Sequence, residues 1–186
     1  MISSRARNSS SPRAPGRYPD GMFGLVEQPV ALTLYTDAYV VRGTLLTRQR
    51  RISDVLNQAE QDFLIVSDVT MDEFGAHKQA MRAGFAQVHL NGVLFAVADV
   101  PVRAPRELRT PKIAETALIS VPPFKIIGRI HLLPEQDLRH ALEGLTGRFI
   151  PVTDATYWSD VVGEAKTTAP MVAVNHARAQ ILAPFR

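Results

Sequence analysis

Two stretches of this chain follow the same plan. One is "YVVRGTLLTRQRRISDVLNQAEQDFLIVSDVT" (39–70), the other "FKIIGRIHLLPEQDLRHALEGLTGRFIPVTDAT" (124–156). Each starts as an apolar strand with a glycine in its middle. A polar loop follows, then a short helical pattern, then a strand pattern that reaches Asp and, two residues on, Thr. Gly43 meets Gly128 at an offset of 85. Leu56, Phe63, Val66, Asp68 and Thr70 meet Leu142, Phe149, Val152, Asp154 and Thr156 at an offset of 86. Val88 and Asn91 are aligned with Val172 and Asn175 at an offset of 84. Small insertions in loops reconcile the three offsets, and an ordered series of this kind is the signature of a tandem duplication.

The local patterns fill in the plan. "VALTLYT" (30–36) and "YVVRGTLLT" (39–47) are rich in β-branched and aromatic residues, flank Asp37-Ala38 and predict a hairpin. Ile52, Val55 and Leu56 fall at i, i+3 and i+4, a short helix with one buried stripe. "DFLIVSDV" (62–69), "FAQVHL" (85–90) and "VLFAVAD" (93–99) predict strands, the last two around a tight Asn91-Gly92 turn. Residues 70–84 are ambiguous. The second half repeats the order, with "ATYWSD" and its Trp158 assigned to an irregular loop. The expected organisation is a disordered basic tail at 1–24, a β repeat at 29–100, a Pro/Arg-rich linker at 101–114 and a second β repeat at 115–186.

The matched residues predict geometry. Glycine normally weakens a strand, so Gly43 and Gly128 predict a bulge or sharp bend. Asp68 and Asp154 are expected to end a strand and fix the next turn through their carboxylates. Asn91 and Asn175 are expected at left-handed turn positions. The fold class expected is mainly β with short helices (α+β), as two tandem five-stranded barrel-like repeats sharing an interface. The alternative is one continuous sheet through both halves.

The motif formed by Gly43, Ser53, Asp54, Leu56, Asn57 and Asp68 resembles an uncharacterised family of small bacterial domains of unknown function. The second half keeps Gly128, Leu142 and Asp154 but has Arg139 and His140 at the Ser-Asp positions and Glu143 in place of Asn57. It is similar to a diverged copy. A weaker architectural likeness is to SH3-like and Sm-like small barrels. The resemblance implies no activity.

Function classes are bounded mainly by what is missing. Without cysteine there are no disulfides, thiolate nucleophiles or cysteine-held metals. The sequence contains no Gly-rich phosphate loop, no H-E-x-x-H and no G-x-S-x-G. His77, His89, His131, His140 and His176 form no metal-ligand spacing. No membrane span or signal peptide is expected, and the cytoplasm is the expected compartment. The net charge is +3, yet 1–24 and 101–114 each carry +3, leaving the remainder at about −3. The strongest local feature is "TRQRR": Arg48, Arg50 and Arg51 enter the first helix, where the second half has Glu135 and Asp137. They are candidate anion- or partner-binding residues.

These observations predict a non-enzymatic tandem β module that binds a protein or assembles with itself, needing no cofactor or metal. The alternative is a small-barrel nucleic-acid binder using the Arg-rich loop and tail. A tail of this composition contributes no core. Deleting residues 1–24 is therefore expected to shift the thermal midpoint by no more than a few degrees, as followed by circular dichroism.

Overall fold

A computed structural model describes residues 27–48, 51–75, 80–98 and 112–185. The tail at 1–24 and most of the 101–114 linker lie outside them. The described residues form one antiparallel sheet of ten strands. In the first half these are β1 (Gln28–Thr36), β2 (Tyr39–Thr47), β3 (Phe63–Glu73), β4 (Met81–His89) and β5 (Val93–Ala98). In the second half they are β6 (Ile113–Val121), β7 (Phe124–Leu132), β8 (Phe149–Ser159), β9 (Glu164–Asn175) and β10 (Ile181–Pro184). Helix α1 (Ile52–Asn57) joins β2 to β3, and α2 (Leu138–Glu143) joins β7 to β8. The strand order is β10-β6-β7-β8-β9-β5-β1-β2-β3-β4. Each half therefore runs fifth, first, second, third, fourth, and the halves meet where β9 pairs with β5. The fold is mainly β with two short helices, as expected, and its sheet is continuous through both halves, the alternative organisation, and is not closed. Closure fails because the fourth and fifth strands of a half do not pair with each other. A 3-10 turn (Leu90–Gly92) sends β5 across to β1 instead of back along β4.

The apolar residues sort into two clusters. One gathers the first half around Leu32, Leu34, Val66, Val69 and Leu90, with α1 contributing Ile52 and Leu56 at i, i+4. It also takes in Phe149 and Ala173 of the second half. The other gathers Ile119, Phe124, Ile126, Val152 and Val174, and receives Tyr35, Val40, Leu94 and Phe95 from the first half. Helix α1 packs against β8 and β9 as well as β5. The cores thus exchange side chains across the seam.

The seam ladder itself is short. Phe95, Ala96 and Val97 lie opposite Val174, Ala173 and Val172. An aromatic cluster reinforces it. Phe95 stacks on Tyr35 at 4.3 Å between centroids, and at 5.1 Å it meets Phe124 edge-on and Tyr157 at a tilt. The hydroxyls of Tyr35 and Tyr157 are 3.1 Å apart in the interior. Burial, and then this hydrogen bond, push the Tyr35 phenol far above its ordinary pKa, so it stays neutral.

Phe95 is fully buried between the halves. Phe95→Ala is expected to cost about 3–5 kcal/mol, the range for a buried aromatic truncated to alanine. Because the cores share the seam, urea unfolding followed by Trp158 fluorescence and by far-UV circular dichroism is expected to give coincident transitions in parent and variant alike.

Candidate interaction surfaces

The matched glycines and aspartates form one device, present in each half. On β2 and β3, Arg42 faces Thr70 and Thr44 faces Ser67, so Gly43 stands opposite both Asp68 and Val69. On β7 and β8, Gly128 stands opposite Asp154 and Ala155 in the same way. This is a bulge, two residues against one. Asp68 and Asp154 occupy it with φ of 52° and 49°, the left-handed region. The expectation that they end strands is corrected: β3 runs on to Glu73 and β8 to Ser159. Trp158 accordingly lies in β8, opposite Lys125, and Lys166 sits over its ring.

The glycines are needed for space. A Cβ on Gly43 would lie 2.6 Å from the Ser67 carbonyl oxygen and 2.6 Å from Val66 Cγ1. On Gly128 it would lie 2.5 Å from Val152 Cγ1 and 2.9 Å from the Thr153 carbonyl oxygen. Asp68 also borders a shallow open depression of about 400 Å³ with Thr70 and Arg82.

The asparagine pairing does not hold. Phe63 lies opposite His89, and Phe149 lies opposite Asn175. The structural counterpart of Asn175 is therefore His89, at an offset of 86, and Val88 matches Val174. Neither Asn91 nor Asn175 is left-handed: among the described non-glycine residues only Asp68 and Asp154 have positive φ. Asn91 lies in the 3-10 turn, which needs no left-handed residue. Asn175 is buried and does different work. Its Nδ2 donates to the Val93 carbonyl oxygen at 2.9 Å, and its Oδ1 accepts from the Ala177 amide. It ties the end of β9 to the start of β5.

Asn57 makes the matching tie from the other side. Its Nδ2 donates to the Phe149 carbonyl oxygen and its Oδ1 accepts from the Phe149 amide, both at 2.7 Å. The side chain thus acts as an extra strand residue alongside β8. Asp62 accepts a hydrogen bond from Arg148 at 2.6 Å, and Asp37 is bonded by Arg178. These clasps escaped the sequence reading. The available signal was the mismatch between halves: Asn57 stands where the second half has Glu143, and Asp62 where it has Arg148.

The arginine loop is less concentrated than its sequence suggested. Arg50 lies outside the described residues. Arg48 pairs with Glu27 at 3.3 Å. Arg51 precedes α1 without capping it, and the helix spans six residues. The structure adds neighbours from the second half. Burial, then the charges of Lys112, Arg129 and Arg51, hold His131 below the ordinary imidazole range, with Asp154 opposing. In the corresponding loop, Asp137 caps α2 by accepting from the His140 amide at 2.8 Å, which depresses its carboxyl pKa.

The two ends of the sheet are β4 and β10. Both expose large apolar side chains: Phe85 on β4 is 69% exposed and Ile181 on β10 56%, with Phe185, just past β10, at 44%. Among the described residues no helix is long and apolar enough to cross a membrane, and no cluster of His, Asp and Glu suits a metal ion. No family model matches the chain, and neither does any curated protein or solved structure.

Gly43→Ala and Gly128→Ala are each expected to destabilise by about 1–3 kcal/mol through overpacking. Asp68→Gly is expected to stay within about 1 kcal/mol of the parent because glycine tolerates positive φ, whereas Asp68→Val loses about 1–3 kcal/mol. Asn57→Ala is expected to cost about 1–3 kcal/mol by stranding two backbone groups. Glu143→Ala, at an exposed position, is expected to stay within about 0.5 kcal/mol. Urea titration of each purified variant measures all six.

Proposed function

We propose that the chain is a duplicated, non-enzymatic β module whose work is association, with itself or with another protein, through the ends of its sheet. Each half is read as a barrel-like five-stranded unit left open at one edge. The observation that carries the proposal is the exposure of Phe85 and Ile181 on strands that have one neighbour each among the described residues. Natural sheets blunt such edges with charge, bulges or covering elements, because unpaired N–H and C=O groups recruit other strands. Arg82 supplies a charge on β4 and Pro184 a blocked amide on β10, yet an apolar side chain stands beside each. The matched aspartates favour the same reading, since their carboxylates sit at bulge positions that shape strands.

An association of this kind rests on backbone pairing and apolar burial. It is expected to persist in high salt and after nuclease treatment, as measured by analytical ultracentrifugation of the full chain. Dissociation on raising the salt would overturn the proposal.

A second reading, nucleic-acid binding, draws on Arg48, Arg50 and Arg51 of the loop entering α1 and on the basic tail, with the charges of Lys112, Arg129 and Arg51 all lowering the His131 pKa. Phosphate contacts release counterions, so binding would fall steeply with salt. A single-stranded RNA oligonucleotide would then bind at low salt, raise the His131 pKa seen by NMR, and be released when Arg48, Arg50 and Arg51 are changed together to Ser. No binding at low salt eliminates this reading.

A further inference from the structure

We propose that a second copy of this chain covers the free edges, with β10 of one copy pairing antiparallel with β4 of the next in a head-to-tail assembly. This deepens the association reading and rests on it. The argument is that the chain already contains the contact. At the seam, the fourth strand of the second half pairs with the fifth strand of the first. The strands left over are the fourth of the first half and the fifth of the second, the same two kinds of edge.

The register transfers without adjustment. On the first strand of each half, Tyr35 faces Phe95 while Ser120 faces Ile181. Ile181, Leu182 and Ala183 therefore stand where Phe95, Ala96 and Val97 stand. On the fourth strands, the pairs Phe63–His89 and Phe149–Asn175 place Val88, Gln87 and Ala86 where Val174, Ala173 and Val172 stand. Copying the seam register predicts Ile181 opposite Val88, Leu182 opposite Gln87 and Ala183 opposite Ala86 of the neighbouring copy.

Burial follows the same map. Phe95 is fully buried at the seam, whereas its counterpart Ile181 is 56% exposed. Phe95 rests there on Phe124 and Tyr157, both buried. The counterparts of those two, Tyr39 and Met71, are only half-buried and pack at the margin of the first core. Ile181 of a neighbouring copy would fill that margin as Phe95 does within the chain. The charged clasp transfers too. Asp62 and Arg148 occupy equivalent positions and already bond each other, so each has a complementary partner of the same kind across the new junction. The asparagine ties do not transfer, because His89 and Glu143 replace Asn175 and Asn57. The junction between copies is accordingly weaker than the seam and depends on concentration. Such a contact is heterologous: it closes a ring if its rotation divides a full turn and otherwise extends a filament.

The absence of cysteine makes the test direct. In the full chain, Ala86→Cys and Ala183→Cys are introduced together and oxidised, and each is also made alone. Ile181→Asp and Phe85→Asp are made separately, and light scattering gives the mass of every protein across a concentration series. The proposal expects a parent mass at a multiple of 20.5 kDa. It expects a reducible ladder from the double cysteine variant, none beyond a dimer from either single variant, and a 20.5 kDa species from each aspartate variant with unchanged circular dichroism. An associating parent whose double variant gives no ladder, and whose mass survives both aspartates, overturns edge pairing but leaves association standing. A parent that stays monomeric throughout overturns the pairing and self-assembly together.

Discussion

Everything else in the structure hangs on three residue pairs, Phe95, Ala96 and Val97 against Val174, Ala173 and Val172. A unit of about 70 residues buries little core for the chain entropy it must offset. Here neither half is left to do so alone. The ladder brings Phe95 and Tyr35 into the second core and Phe149 and Ala173 into the first. Asn57 and Asn175 then tie backbone groups that a junction of only three pairs would leave unsatisfied. Backbone continuity, aromatic packing and polar ties thus support one another at one place.

Much of this architecture was legible in the sequence because duplication amplifies weak signals. A glycine in one strand is noise, but Gly43 and Gly128 at corresponding places implied a local distortion, and a bulge stands opposite each. The reason differs from the one glycine usually suggests, since close approach to the partner strand excludes a Cβ and no positive φ is involved. Asp disfavours strand interiors, so the sequence alone places Asp68 and Asp154 at strand ends. A bulge reverses that preference. It needs a left-handed residue, which Asp tolerates better than most, and it lets β3 and β8 continue.

What the sequence withheld are properties of pairs of strands. Alignment by residue identity joins Asn91 to Asn175 at an offset of 84. The ladder joins His89 to Asn175, because register counts from Phe63 and Phe149. Likewise "FAQVHL" reads as a strand like any other. Whether Phe85 meets a neighbour or solvent depends on strand order, which local periodicity does not encode. Asn57 lay between these cases: its mismatch with Glu143 was visible, but its partner, 92 residues away, was not.

The pattern of divergence between the halves carries its own argument. Polar residues that clasp the seam differ at their counterparts, Asn57 against Glu143 and Asn175 against His89, while the edge strands carry exposed apolar side chains, Phe85 and Ile181. A seam inside one chain forms at the high effective concentration that covalent linkage supplies, so its ties serve chiefly to set register. The outer edges have no such linkage. Solvent-exposed apolar groups on an unpaired strand lower solubility and invite mispairing, and substitution by a single charge would relieve both costs. On the proposed head-to-tail pairing, the exposed apolar side chains have the same physical role at the ends of the sheet that Phe95 and Val174 have at its centre. The loss of the asparagine ties makes that outer contact reversible where the inner one is permanent.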